Sequence, residues 1–270
     1  MSLGATTFGL TAAVRGGHLV RARRDHYVLP GTDHHLVEAV RIGGRLACVS
    51  ALSSMGIFAF DASRTHVHMD HSMSRSRSPK DRFIPLTPFN RHGVQLHWHP
   101  LIDDNATEFS VGIIDALAQS LRCQEPGHAL ASIDNALHLG RIEEGDLSAI
   151  FAKAPERVCH LRELVDGSAE SGQETMLRLI IGSTGHSCES QVSFEGIGRV
   201  DFVVAGCLVV EADSRTAHDG WEKHVSDRGR DLALARLGYM TLRPAYQHTM
   251  QRPELVAGAI AKLVSDRQRA

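Results

Sequence analysis

Arg199-Val-Asp-Phe-Val-Val-Ala-Gly-Cys-Leu-Val-Val-Glu-Ala-Asp213 is the stretch on which the fold turns. Two apolar runs, 199–204 and 207–212, flank Ala205-Gly206, a pattern that predicts two antiparallel strands joined by a tight turn. Residues 218–237 then predict a polar helix stopped at Gly238, and Tyr239-Met-Thr-Leu-Arg243 predicts another strand. Asp201, Glu211 and Asp213 fall at one end of this small sheet. Period two puts Glu211 and Asp213 on one face. Three carboxylates in so apolar a run need a partner against their desolvation, and a cation supplies it. Salt bridges to Arg199, Arg228 or Arg230 would serve the same need without a metal.

The chain upstream completes a domain. Ser168–Gly182 predicts a helix capped by Ser171, with Glu174 three residues on closing a capping box or supplying a further metal ligand. Residues 189–194 predict a strand, and 252–266 a final helix. The order is helix, three antiparallel strands, helix, strand, helix.

The 270 residues suggest two domains, and a net charge of −2 gives no global basic field, so nucleic-acid binding would need local patches. Five cysteines, odd in number and without a Cys-x-x-Cys pair, argue against a disulfide framework or a zinc knuckle. No apolar run of 18 residues exists and no secretory signal pattern opens the chain, so a cytoplasmic protein without membrane contact is expected.

In the first 106 residues, Thr11–Gly17 reads as the end of a helix with a glycine stop. His18–Pro30 alternates apolar and basic residues around Arg23-Arg24-Asp25, which predicts a two-stranded ribbon with a polar turn. A helix followed by a basic ribbon is the tail of a winged helix, where Arg21, Arg23 and Arg24 suit phosphate contacts; a solvated hairpin explains them equally. Residues 72–82 have no apolar pattern but carry Arg75, Arg77, Lys80 and Arg82, a solvated loop or a contact to a DNA backbone. Leu46–Ser50 predicts a short buried strand, and Thr65–Met69 a strand with His66, His68 and Asp70 on a wet face. His66-x-His68 and His97-x-His99 each put two rings on one face, but with no third ligand at a usual spacing and no cooperating cysteine they do not read as a metal site. Residues 107–167 predict a helical connector.

The ordered set Glu174, Arg199-Val-Asp-Phe, Val209-Val-Glu-Ala-Asp-Ser, His218, Asp227-Arg228, Arg230-Asp231 and Leu237–Arg243 resembles the PD-(D/E)XK nuclease superfamily. Within it, the set is most similar to the very-short-patch-repair-like branch and the DUF559 proteins. The resemblance covers about 168–245. It implies an α+β protein with an α/β core, in which 168–270 form a restriction-endonuclease-like αβββαβ domain with a mixed four-stranded sheet. Upstream, 18–30 and Val49–Ile57 resemble the winged-helix-like start of AbiEi-type antitoxins, which implies DNA as a partner of residues 1–106.

The catalytic set implied is Asp201, Glu211, Asp213 and His218, and the Mg²⁺ ligands Glu174, Asp201, Glu211 and Asp213, with Mn²⁺ able to substitute. Arg21, Arg23, Arg24, Arg75, Arg77, Lys80, Arg215 and Arg228 are the implied DNA contacts. The sequence departs from the family in three places. Asp213 stands where Lys is expected, Ser214-Arg215 stands where Gly is common, and few residues precede Thr11 to build a full recognition helix. Two functions follow as expectations. One is a Mg²⁺-dependent DNA endonuclease, nicking as a monomer or cutting both strands as a homodimer, in repair, restriction or phage defence. The other is an inactive, antitoxin-like DNA-binding regulator, with a toxin or other defence protein as partner.

Overall fold

A computed structural model describes residues 6–71, 73, 75–102, 105–213 and 221–269, and of Lys223 the backbone alone. The chain divides into two units, Met1–Val165 and Asp166–Ala270. It is a mixed α and β protein, and no helix among the described residues is long and apolar enough to cross a membrane.

The first unit opens with α1 (Thr7–Arg15), capped by the Thr6 hydroxyl, which accepts from the Gly9 amide. Strands β1 (Val20–Arg23) and β2 (His26–Val28) form the antiparallel ribbon read from the sequence, turning at Asp25 with φ 62°. Next come α2 (His34–Ile42), β3 (Arg45–Leu46), α3 (Cys48–Ser54), β4 (Thr65–His68) and β5 (Val94–His97). The sheet order is β3-β4-β5, with β4 antiparallel to β3 and parallel to β5.

Two expectations are corrected here. The strand expected over Leu46–Ser50 ends at Leu46, and Cys48 begins a helix, because Ser50 and the apolar positions after it pack at helical spacing. Strand β4 has no wet face, and His66 and His68 are both buried. It is the central strand, covered by α2 and α3, so alternation of His with Thr and Val marks two buried faces. Helices α4 (Ile113–Cys123), α5 (Pro126–His138), α6 (Leu147–Phe151) and α7 (Glu156–Cys159) follow inside the same unit, with α4 packed on α3 and α5.

The second unit holds α8 (Gly172–Ser183), β6 (Cys188–Phe194), β7 (Gly198–Val204), β8 (Leu208–Val210), α9 (Trp221–Arg236), β9 (Met240–Leu242), α10 (Tyr246–Gln251) and α11 (Pro253–Arg269). Its sheet runs β6-β7-β8-β9; the first three strands are antiparallel neighbours, and β8 and β9 are parallel. This is the mixed four-stranded sheet expected from the sequence, in the expected order of elements except for α10, a short helix between β9 and the final helix that was not foreseen. Phe202, Val204, Leu208 and Val210 face Leu177 and Ile181 of α8 and Val256, Ile260 and Val264 of α11. On the other side Val203 and Val209 pack with Leu234 of α9. Each such side chain contributes about 1.5–3 kcal/mol when buried.

Candidate functional site

The carboxylates converge because of strand register. Phe202 pairs with Val210, so the same register sets Asp201 opposite Glu211. On the other flank Ser190 pairs with Phe202 and Val192 with Val200, which sets Gln191 beside Asp201. Gln191 has φ 54°, a left-handed conformation costly for a side-chain-bearing residue, and its side-chain amide donates to Glu174 Oε2 at 3.2 Å. Gln191, Asp201 and Glu211 thus form a row across the sheet where β8 ends, midway along β6 and β7, and Glu174 of α8 joins it through Gln191.

Helix α8 supplies Glu174 through its cap. The Ser171 hydroxyl accepts from the Glu174 amide at 3.2 Å and donates to Glu174 Oε1 at 2.9 Å, while Glu174 Oε2 accepts from the Glu170 amide at 3.0 Å. The Ser171 cap expected from the sequence is present, but the box does not close in the usual way: the Glu174 carboxylate accepts from the Glu170 amide and the Ser171 hydroxyl rather than from the Ser171 amide, and these bonds hold it in place. Burial raises the Glu174 pKa above the usual carboxylate range, with the Asp201 charge adding to the effect. Asp201 Oδ2 accepts from the Ala212 amide at 2.7 Å, and its pKa is also raised, by burial first and by Glu170.

Glu211 is held differently. Its Oε1 accepts from Arg230 at 3.0 Å, and Arg243 pairs with its Oε2. Arg243 also donates through Nε to Asp231 at 3.0 Å, and Arg230 to the Arg199 carbonyl at 2.7 Å. Burial still outweighs both guanidinium groups and leaves the Glu211 pKa raised. The salt-bridge alternative read from the sequence is therefore present at Glu211, with Arg243 as a partner that reading did not name. Arg199 pairs instead with Glu170, and Arg228 with Asp231 at 3.0 Å.

Strand β8 ends at Val210, so Glu211 and Asp213 lie beyond the strand that was expected to carry them. The Glu211 amide still donates to the Leu242 carbonyl at 3.1 Å, and Asp213 forms a single parallel bridge with Ala245. Among the described residues these carboxylates do not close into three donors within 4.8 Å of one another. Both Glu174 oxygens accept hydrogen bonds within the protein, and the Asp201 charge adds to the rise of its pKa. His218 and Arg215 lie outside the described residues, as does the Lys223 side chain.

The basic residues of the first unit come together. Arg21, Arg23 and Arg24 of the ribbon and Arg75, Arg77 and Arg82 of the following loop line one cavity of about 690 Å³, with Arg45 at its wall. The ribbon and loop were read as separate basic runs; Arg82, donating to the Arg21 carbonyl at 2.8 Å, joins them. Gly43 has φ 94°, and a Cβ there would sit 1.6 Å from an Arg23 nitrogen, so this helix stop also leaves room for the guanidinium. Lys80 is exposed and does not line the cavity.

Sequence reasoning missed a second constellation in that unit. Cys48, His66, His97 and Cys123 offer four donor atoms all within 4.8 Å of one another, a set able to hold a metal ion. The expectation that no cysteine cooperates with these histidines is corrected. The i, i+2 spacing along one strand does not report the set, because His66 and His97 come from neighbouring parallel strands, and the cysteines from the start of α3 and the end of α4. No local spacing reports such a set; the only signal was two buried-type cysteines bracketing the two histidine strands.

The chain matches no family model, and no curated protein or solved structure is significantly similar to it.

Proposed function

We propose that the chain is a Mg²⁺-dependent DNA endonuclease of the PD-(D/E)XK type, with the second unit cutting and the first holding the DNA backbone. The observation that carries this reading is the row of Glu174, Asp201 and Glu211 across the mixed sheet where β8 ends, Glu174 and Glu211 buried and Asp201 half-buried, all three with pKa values raised first by burial. Carboxylates so placed are poised for a hard divalent cation. Asp201 and Glu174 would hold Mg²⁺, and the bound ion would supply charge for a scissile phosphate and a water more easily deprotonated. Arg230 and Arg243 fix Glu211 beside them, and His218 is the candidate proton donor or acceptor. Asp213 in place of Lys leaves proton transfer to that histidine. One such site serves one strand, so a monomer nicks and a homodimer cuts both. The test is a supercoiled plasmid with Mg²⁺ or Mn²⁺, wild type beside Asp201→Asn and Glu174→Gln. Metal-dependent cutting lost in both variants supports the reading; uncut plasmid with wild type across single-stranded, duplex and mismatched DNA refutes it.

The arginine cavity supports DNA as the substrate. Arg24 and Arg75 are exposed at its rim. Arg24→Ala with Arg75→Ala should weaken binding to all duplex sequences alike and lower the slope of log K against log salt by about 2, since each phosphate contact contributes ~0.9. An unchanged slope would remove the cavity from the DNA path.

One observation favours a second reading. Glu211 is already paired with two guanidinium groups, as in a scaffold that no longer needs a metal. A DNA-binding regulator, antitoxin-like, would bind duplex through the cavity and leave it intact.

A further inference from the structure

The first unit contains a set of side chains that the nuclease reading does not use. Cys48 and Cys123 bring sulfur, His66 and His97 bring imidazole nitrogen, and three of the four are buried. His66 Nδ1 lies 3.1 Å from His97 Nε2 and 3.8 Å from Cys123 Sγ. A tetrahedral ion with Zn–N ~2.0–2.1 Å and Zn–S ~2.3 Å needs N···N edges of about 3.3 Å and N···S edges of about 3.5 Å. The observed separations are already within a few tenths of an ångström of those edges.

The backbone is shaped to bring these atoms together. Cys48 has φ 48°, a conformation that costs a non-glycine residue, at the first position of α3. Its amide donates to the buried Gln119 side-chain oxygen at 3.0 Å, which fixes α3 against α4, the helix that ends in Cys123. The His66 amide donates to Ser50 Oγ at 3.0 Å, and Ser50 Oγ donates to the Arg64 carbonyl at 3.0 Å, which ties β4 to α3. Apolar packing alone gives no reason for a strained cysteine and two imidazoles in mutual contact beside a second cysteine.

Charge selects the ligand class. Two thiolates and two neutral imidazoles balance a divalent cation, giving a neutral centre that can be buried without further counter-charge. Sulfur and imidazole disfavour Mg²⁺ and Ca²⁺, and a tetrahedral S₂N₂ set suits zinc. Four protein ligands leave no open position, so the centre is structural. We propose that Cys48, His66, His97 and Cys123 bind one Zn²⁺ that clamps β4 and β5 to the facing ends of α3 and α4. Binding releases the two thiol protons to solvent and involves no change of oxidation state.

The full chain, purified under reducing conditions, should contain about one zinc per molecule by elemental analysis. Replacing zinc with cobalt should give the intense visible bands of a tetrahedral thiolate site. Cys123 is only half-buried, so Cys123→Ser should fold, lose the zinc and lose the cobalt bands, whereas the exposed Cys159→Ser should retain both. Should Cys123→Ser prove insoluble, the wild-type cobalt spectrum and zinc content decide alone. The proposal is overturned by a folded wild type that holds no zinc and gives only weak octahedral cobalt absorption. It is equally overturned by a Cys48–Cys123 disulfide, seen as a mass lower by two hydrogens, in protein never exposed to oxidant. Zinc content should be the same in Asp201→Asn, so failure of the nuclease reading leaves this result untouched.

Discussion

Asp201→Asn is expected to abolish Mg²⁺-dependent cleavage, by about 10³-fold or more, and to raise the melting temperature of the metal-free second unit. The two effects share one cause. Asp201 is desolvated and faces other carboxylates, so its folded pKa lies above the unfolded one. A carboxylate shifted upward weakens the fold when ionised. That penalty is absent below the unfolded pKa, grows as pH rises through the folded pKa, and is complete above it. Asparagine keeps an oxygen for the Ala212 amide and carries no charge, so the penalty disappears. A gain on the order of 1 kcal/mol corresponds to about 4–8 °C in a unit of roughly 100 residues. Calorimetry in chelator should find this gain at about pH 7.5 and find it much reduced at about pH 3.5, below the ordinary aspartate pKa of about 3.9, where the penalty is absent. A variant that melts lower than wild type at both values would show that Asp201 is a structural acceptor rather than a group held in a costly state for function.

Arg243→Met should destabilise the second unit by about 1.5–3 kcal/mol, the usual worth of a hydrogen bond to a charged group, since Arg230 still pairs with Glu211 and Arg228 with Asp231. Arg243 is 16% exposed and links Glu211, 7% exposed, to Asp231, 20% exposed. Arg230 remains on Glu211 Oε1, but Oε2 and Asp231 Oδ1 both lose their guanidinium. The double variant Arg243→Met, Glu211→Gln should recover part of the loss, because the buried charge is then gone. Urea denaturation of the four proteins of the cycle measures the coupling; a coupling near zero would mean that Arg243 acts through packing alone. The same variant bears on the choice between enzyme and regulator. If Arg243 serves only to neutralise Glu211 in an inactive scaffold, DNA binding through the arginine cavity is unaffected by it.

The second unit was the more legible half. Local signals fixed it one by one. Alternating apolar residues gave β6 and β7, Ala205-Gly206 gave the turn, Ser171 with Glu174 gave the start of α8, and Gly238 gave the stop after α9. Asp201 and Glu211 were legible as neighbours because an antiparallel hairpin turns sequence distance directly into register. Arg243 as a partner of Glu211 was not, since it arrives from a parallel strand after a helical crossover. The first unit hid its sites for the same reason. Parallel pairing of β4 with β5 spans a long loop, and nothing local marks it. The histidines therefore read as one wet strand face, and Cys48 and Cys123, 75 residues apart in the chain, read as unrelated. The arginines of ribbon and loop were each visible, but their common cavity is a tertiary feature, with Arg82 bonded to the Arg21 carbonyl across it.

The most direct measurement is anomalous diffraction from a crystal of the full chain soaked in Mn²⁺. A manganese peak coordinated by Asp201 and Glu174, beside Glu211 and absent from an Asp201→Asn crystal, is the expected result. Contradiction would be a well-ordered sheet with no peak between Asp201 and Glu174 while other carboxylates in the crystal take up manganese.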